Sequence, residues 1–334
     1  MLNELRHLAA GTDRGAFLFR PRGALKEWEM IGYGLYGQKI TSLAVDESGG
    51  VTAAVERGMV KYTRDWLHWK TLYQGLEYPD VYSVCRDPHN QRIYAGTSPA
   101  AIFSSEDQGE NWRSVGKTSD ISFRNGWSHP DPPHSPRIIK LFVHPQRENC
   151  LIGGVQAGGV IVSEDGGKSW RNAKAGLSHQ LSDLRFHAGS PDRLYATNFL
   201  GFYRSDDLGR SWRLSNHGLP YENAISVCVH SLKPESLLLA VEHPEDLHSV
   251  LFKSDNGGNH WEIACPELPT DEGLRVTCLE SGGGVYFAGT EEGFLFGSRD
   301  RENWEIVRAE LPPLRTLAWV GEFREPKGKE VKDE

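Results

Sequence analysis

The chain of 334 residues has only five cysteines and three methionines, no surplus of positive charge and no long apolar run. Each shortage excludes something. No stretch approaches the roughly 20 consecutive apolar residues that span a bilayer, so no membrane partner is expected. The opening segment, Met1-Leu2-Asn3-Glu4-Leu5-Arg6-His7, lacks the apolar core of a signal peptide. Lysine and arginine number 37 against 45 aspartates and glutamates, for a formal charge of −8. Nucleic-acid binding needs a basic face that neutralises phosphates, so no nucleic-acid partner is expected either. Cys85, Cys150, Cys228, Cys265 and Cys278 are odd in number and scattered without metal-type pairs. Cys85 and Cys228, each ending a Ser-Val-Cys run, read as small buried residues, and a reducing cytoplasm is the expected compartment.

What the chain does have is tryptophan and glycine, 10 and 36 residues, arranged in a repeat. A frame of the type Ser-x-Asp-x-Gly-x-x-Trp spans Ser163–Trp170 and returns at Ser105–Trp112, Ser205–Trp212 and Ser254–Trp261. Asp107, Asp165, Asp207 and Asp255 are read as its carboxylates. Each copy follows a short apolar run such as Val160-Ile161-Val162. Ser and Asp side chains bond their own backbone in tight turns, Gly supplies a positive φ, and Trp fills an apolar gap. Weaker copies at Thr63–Trp69 and Ser298–Trp304, and a lone Trp28, extend the series to seven tryptophans: 28, 69, 112, 170, 212, 261 and 304. Their spacing of roughly 40–60 residues suits the four-stranded blade of a β-propeller.

The pattern therefore predicts an all-β chain folded as a single seven-bladed β-propeller. Strands A to D run in order within each blade, and the repeated frame forms the C–D turn. The first repeat lacks a strand A, and Leu314–Val320 is an orphan one, so the C-terminal strand (314–320) joins the N-terminal blade and closes the ring. Residues 1–321 form the propeller; the dense charge of 322–334 predicts a disordered tail.

On these frames the chain resembles the Asp-box (BNR-repeat) β-propellers, a superfamily that includes sialidases, xyloglucanases, sortilin-type receptors and a photosystem II assembly factor. The resemblance covers nearly the whole chain and implies the fold rather than one function, because such scaffolds carry unrelated activities. It implies that the box residues are structural, on the face away from the usual ligand mouth. The sialidase Arg-Ile-Pro signature has no counterpart beyond Phe19-Arg20-Pro21-Arg22 on the wrong face, and xyloglucanases pair two propellers where this chain has one.

Candidate chemistry therefore falls on the face formed by the B–C turns and D–A loops. The B–C turns present Asp13, Glu56, Ser98, Gln156, Asn198, Glu242 and Glu291; the D–A loops present Lys39, Asp80, Arg137, Gln180 and Asn223, with Arg275 and Arg315 at the same level. Both long insertions, Lys117–Pro136 and Glu242–Ser249, fall here too. Asp46, Asp87, His144, His187 and His230 recur at the A–B turn of the opposite face and read as turn caps.

Two function classes follow. The first is an enzyme that cleaves a polar or anionic, carbohydrate-like substrate at the channel mouth, glycosyl-hydrolase-like or lyase-like. Glu56, Glu242, Glu291 and Asp13 would serve as acid/base or nucleophile, with His134 or His179 as proton carriers. Arg14, Arg57, Arg137, Arg275 and Arg315 would anchor an anionic group, aided by Gln156, Asn198 and Tyr221, with Trp127 as a stacking platform in a lid. The second class is a non-catalytic binding or assembly propeller for a protein partner. No cofactor is required by the sequence. A divalent metal is a further alternative, with His129, His134, His179, His243 and His248 as candidate ligands.

Overall fold

The computed structural model describes residues 6–23, 25, 27–115, 127, 134–178, 180–187, 189–231, 233–270 and 273–322. Short apolar runs separated by Gly- and Asp-rich turns form seven four-stranded antiparallel sheets, the seven blades of a propeller. Among the described residues there is no helix.

Blade 1 contains both ends of the described chain. Its innermost strand, Leu314–Glu322, pairs antiparallel with Arg6–Thr12, matching Ala9 to Ala318 and Ala10 to Leu317. Blades 2 to 7 begin with innermost strands Ile40–Val45, Asp80–Arg86, Ile138–Val143, Asp183–His187, Ala224–Val229 and Val276–Gly282. The hydrophobic core lies between neighbouring sheets. Tyr94 and Ile102 of blade 3 meet Ile138, Leu151 and Ile161 of blade 4; Ile152 and Val160 of blade 4 meet Leu184 and Tyr203 of blade 5. Each large side chain buried this way stabilises by roughly 1.5–3 kcal/mol.

The C–D turns fasten the blades as their composition predicts. Ser163 Oγ accepts the Gly167 amide at 2.7 Å and donates to Asp165 Oδ1 at 2.8 Å, while Asp165 accepts the Ser169 amide at 2.9 Å. The same bonds recur at Ser105–Asp107 and Ser205–Asp207. The fourth copy departs from the expected one. Asn256, not Asp255, occupies the position two after Ser254 and accepts both the Ser254 hydroxyl and the His260 amide. Asp255 instead bonds Arg301 and Ser236. The indole then stitches the turn to the preceding blade: Trp212 Nε1 donates to Ala173 O at 2.6 Å, and Trp261 Nε1 to Ser215 O at 3.0 Å.

At the A–B turns, Asp46 Oδ1 accepts the Ser48 and Gly50 amides, while His144 Nδ1 and His230 Nδ1 accept those of Gln146 and Lys233 at 3.1 Å. These residues cap turns.

A second regularity lies on the channel side. In six of the seven innermost strands one extra residue bulges out of register: Arg315, Thr41, Tyr82, Ile139, Ile225 and Thr277 in blades 1, 2, 3, 4, 6 and 7. A bulge bends its strand and re-aims the inserted side chain. All six inserted residues line the central cavity.

Candidate functional site

The D–A loops and the bulged strands converge on one cavity of about 260 Å³ at the channel mouth. Lys39, Tyr82, Arg137, Gln156 and Arg315 are among its walls. A second hollow of about 350 Å³ shares Gln156, Ser182, Ile225 and Thr277 with it and is flanked by the exposed ring of Phe199.

The acidic residues of the mouth are matched to cations. Arg315 grips Asp13 through two bonds, Nε to Oδ1 at 2.8 Å and Nη2 to Oδ2 at 2.6 Å, and lies 3.9 Å from Glu291. Arg275 pairs with Glu291 at 2.5 Å. Lys39 pairs with Glu56 at 2.7 Å, and the Tyr82 hydroxyl donates to Glu56 at 2.8 Å. The Arg315 hydrogen bonds hold Asp13 below the usual carboxylate range. Burial pushes Glu56 up, but Lys39 and Tyr82 outweigh it and the net direction is down. Arg137 differs from its neighbours. Its guanidinium lies 4.9 Å above the Tyr82 ring, and among the described residues no carboxylate comes within ion-pair distance of it.

Below the mouth a second charged group crosses the channel. Asp183 of blade 5 meets Lys140 of blade 4 at 2.9 Å and accepts the Ser226 hydroxyl and Val227 amide of blade 6 at 2.8 and 3.2 Å. Arg185 of blade 5 lies 3.5 Å from Asp183 and reaches blade 7, donating to Leu279 O at 3.0 Å and meeting Glu280 at 3.4 Å. Burial opposes ionisation of Asp183, yet Arg185 and Lys140 bring its carboxyl down to about 2. Burial also disfavours the charge of Arg185, but Asp183 and Glu280 hold it above the ordinary guanidinium range. This group forms the floor of the cavity and joins four blades.

The residues selected from sequence divide among several places. Asp13, Glu56, Arg137, Gln156, Glu291, Arg275 and Arg315 gather at or beside the mouth. Arg14 and Arg57 are exposed on their turns, and the Arg57 amide donates to Asp80. Glu242 is bonded by Asn223, a wall of the second hollow. Asn198 is not a ligand contact as expected: it is fully buried, and its Oδ1 accepts the Leu200 amide to close its own turn. Trp127 is not an exposed platform. It is packed among Tyr94, Ala100, Ile102 and Val155 and lies hard against Gly158. Tyr221 stands edge-on to His243 at 4.7 Å, away from the cavity walls. His134 is exposed and does not line the cavity. His129, His179 and the tail from residue 323 lie outside the described residues.

Sequence reasoning missed Tyr82, Lys140, Asp183, Arg185 and Glu280. The last four carried a signal: charged residues at alternate positions inside otherwise apolar innermost strands, as in Asp183-Leu184-Arg185-Phe186. A strand buried on both faces has no reason to carry them unless one face lines a channel.

Chemically, the mouth offers fixed positive charge and few proton donors. Glycoside cleavage needs a carboxylic acid that stays protonated, with its pKa raised by burial or a like charge. Every described Asp or Glu with a resolved shift moves the other way.

No protein-family model matches the chain, and no curated protein matches it by sequence. Solved structures do. The chain superposes on a GH74 xyloglucanase from Xanthomonas campestris with a TM-score of 0.65 at 18% identity, over 96% of this chain and 53% of that one. YCF48 bound to D1 peptide gives 0.61 at 15% identity, over 86% of both chains. The WD40 propeller domain of Doa1 gives 0.58 at 12% identity, over 94% of this chain and 88% of that one. The likeness is one of fold. Its carriers include a xyloglucanase and a propeller solved with a bound peptide, so the fold does not choose between them.

Proposed function

We propose that the chain is a non-catalytic binding propeller that takes an anionic group, carboxylate or phosphate, into the channel mouth. Arg137 is the anchor. The observation that carries this reading is that, among the described residues, no carboxylate lies within ion-pair distance of it, although Glu56 stands close enough to feel its charge. The other cations of the mouth and floor face carboxylates, whereas Arg137 is supported by the Tyr82 ring and left open to the cavity it lines. A guanidinium backed by an aromatic face keeps its planar fork for a bidentate anion. Lys39 and Arg315 line the same cavity, each already paired with a carboxylate, and the Gln156 amide supplies a further hydrogen bond.

The glycosidase reading draws support from the likeness to GH74 enzymes, but the ion-paired, ionised state of Glu56 and Asp13 counts against it. An acidic peptide would reach the same mouth past Phe199, in keeping with the peptide-bound YCF48 fold. The five free thiols suit a reducing cytoplasm, the compartment proposed here.

Calorimetric titration with citrate and with inorganic phosphate tests the reading. Binding to the intact chain, lost in Arg137→Ala without a change in melting temperature, is the expected result. Undiminished binding in Arg137→Ala overturns the assigned anchor. Turnover of chromogenic glycosides that disappears in Glu56→Gln would replace the reading with an enzymatic one.

A further inference from the structure

The loop between the second and third strands of blade 6 brings together three residues that the channel chemistry does not use. We propose that His243, Asp246 and His248 form a binding site for a divalent first-row transition ion, with zinc as the representative. Their ligand atoms all lie within 4.8 Å of one another. Asp246 Oδ1 is 3.0 Å from His243 Nδ1 and 2.5 Å from His248 Nδ1. A single six-residue turn, 243–248, supplies all three.

The turn is built to hold them. The His243 amide donates to His248 O at 2.8 Å, and the Leu247 amide to His243 O at 3.1 Å. The two imidazoles stack at 4.8 Å and 19°. Tyr221 braces His243 edge-on, and Gly273 packs so close to His248 that an added Cβ would sit 3.1 Å from the His248 Cβ. Both rings are mostly covered, whereas Asp246 is open to solvent.

A carboxylate oxygen flanked by two imidazole nitrogens calls for positive charge between them. Two ring protons supply it, and so does one divalent ion. The Glu245 amide also approaches His243 Nδ1, at 3.4 Å. Two imidazoles and one carboxylate suit zinc, iron(II) or nickel, and three protein ligands leave a position for water or a ligand oxygen. His217 and His260 make an internal contrast: their Nδ1 atoms are 3.1 Å apart, but among the described residues no carboxylate joins them.

The site is independent of the anion reading, since the two share no residue. The full chain, stripped with chelator and desalted, is titrated with zinc chloride in a calorimeter. One zinc per chain is expected, weakened at least about 100-fold in His243→Ala and in His248→Ala, the upper end of what loss of an outer-shell partner costs. His217→Ala should bind as the unaltered chain does. Cobalt(II) bound to the unaltered chain should show ligand-field bands of nitrogen and oxygen coordination, a readout that needs no variant to fold. Absence of stoichiometric zinc, equal affinity in His248→Ala, or loss in His217→Ala overturns the site. Citrate binding that persists in His248→Ala keeps this outcome separate from that of the channel mouth.

Discussion

The Lys140 ammonium lies 2.9 Å from Asp183 Oδ1 across the seam between blades 4 and 5, on the floor of the channel. Asp183 also accepts bonds from Ser226 and Val227 and lies 3.5 Å from the Arg185 guanidinium. Removing its charge leaves Lys140 without its carboxylate and Arg185 with Glu280 alone. Asp183→Asn is expected to destabilise the fold by about 3–5 kcal/mol, whereas Lys140→Met, which leaves Arg185 and two hydrogen bonds on the carboxylate, should cost about 1–3 kcal/mol. Urea denaturation of the two variants compares them. Equal losses would show that Asp183 is one partner of a pair and not the hub of a network.

The blade-fastening turns allow a sharper comparison within one stretch of chain. Asn256 accepts two bonds inside its turn, whereas Asp255, mostly exposed, pairs with Arg301 and accepts a bond from Ser236. Asn256→Ala should lower stability by about 1–2 kcal/mol, as a lost cap does. Asp255→Ala should cost about 0–1 kcal/mol, the range of a surface pair. The reverse order in thermal melts would return the turn role to Asp255.

Stability should fall on acidification in two stages. Burial holds His144, His187 and His230 below the ordinary histidine pKa. The unfolded chain therefore takes up protons first as pH drops below about 6.5, and the stability present above that value declines. The second stage belongs to carboxylates lowered in the fold. The contribution of Asp183, at about 2 in the native protein, is present above pH 4 and lost between about 4 and 2. It amounts to about 2 kcal/mol. Melting temperatures from pH 8 to 2 test both stages, and His144→Gln with His230→Gln should flatten the first alone. A first stage unchanged in that double variant assigns it to other groups.

The architecture was legible because it is written seven times. The turn at Ser163–Trp170 and its relatives fixed strand order, blade number and ring closure, as the pairing of Ala9 with Ala318 shows. The mouth was legible at Arg137 and Arg315, which stand at the same level of the innermost strands of blades 4 and 1, and at Gln156, in the turn beside Arg137. Tyr82 was not, because a register shift leaves no mark on an apolar strand such as Val81–Cys85; the bulge exists only against the partner strand. Asn198 and Trp127 were misassigned for one reason: a polar or aromatic residue in a loop has the same letter whether it faces water or closes its own turn. Their burial is a property of neighbours distant in sequence, such as Gly158 against Trp127.

The Tyr82 bulge separates two roles that meet at the mouth. Its hydroxyl donates to Glu56 at 2.8 Å, and its ring lies 4.9 Å beneath the Arg137 guanidinium. Tyr82→Phe removes the hydrogen bond and keeps the ring, so it should cost about 1 kcal/mol of stability and leave anion affinity unchanged. Tyr82→Ala removes the ring as well. With the guanidinium free to swing, citrate affinity should fall by about 2–30-fold, the equivalent of about 0.5–2 kcal/mol of cation–π support. Calorimetric titration of the two variants side by side reads the difference directly. Equal affinities in Phe and Ala variants would mean that the ring does not position Arg137, whereas a loss already complete in the Phe variant would shift the role to the Glu56 hydrogen bond.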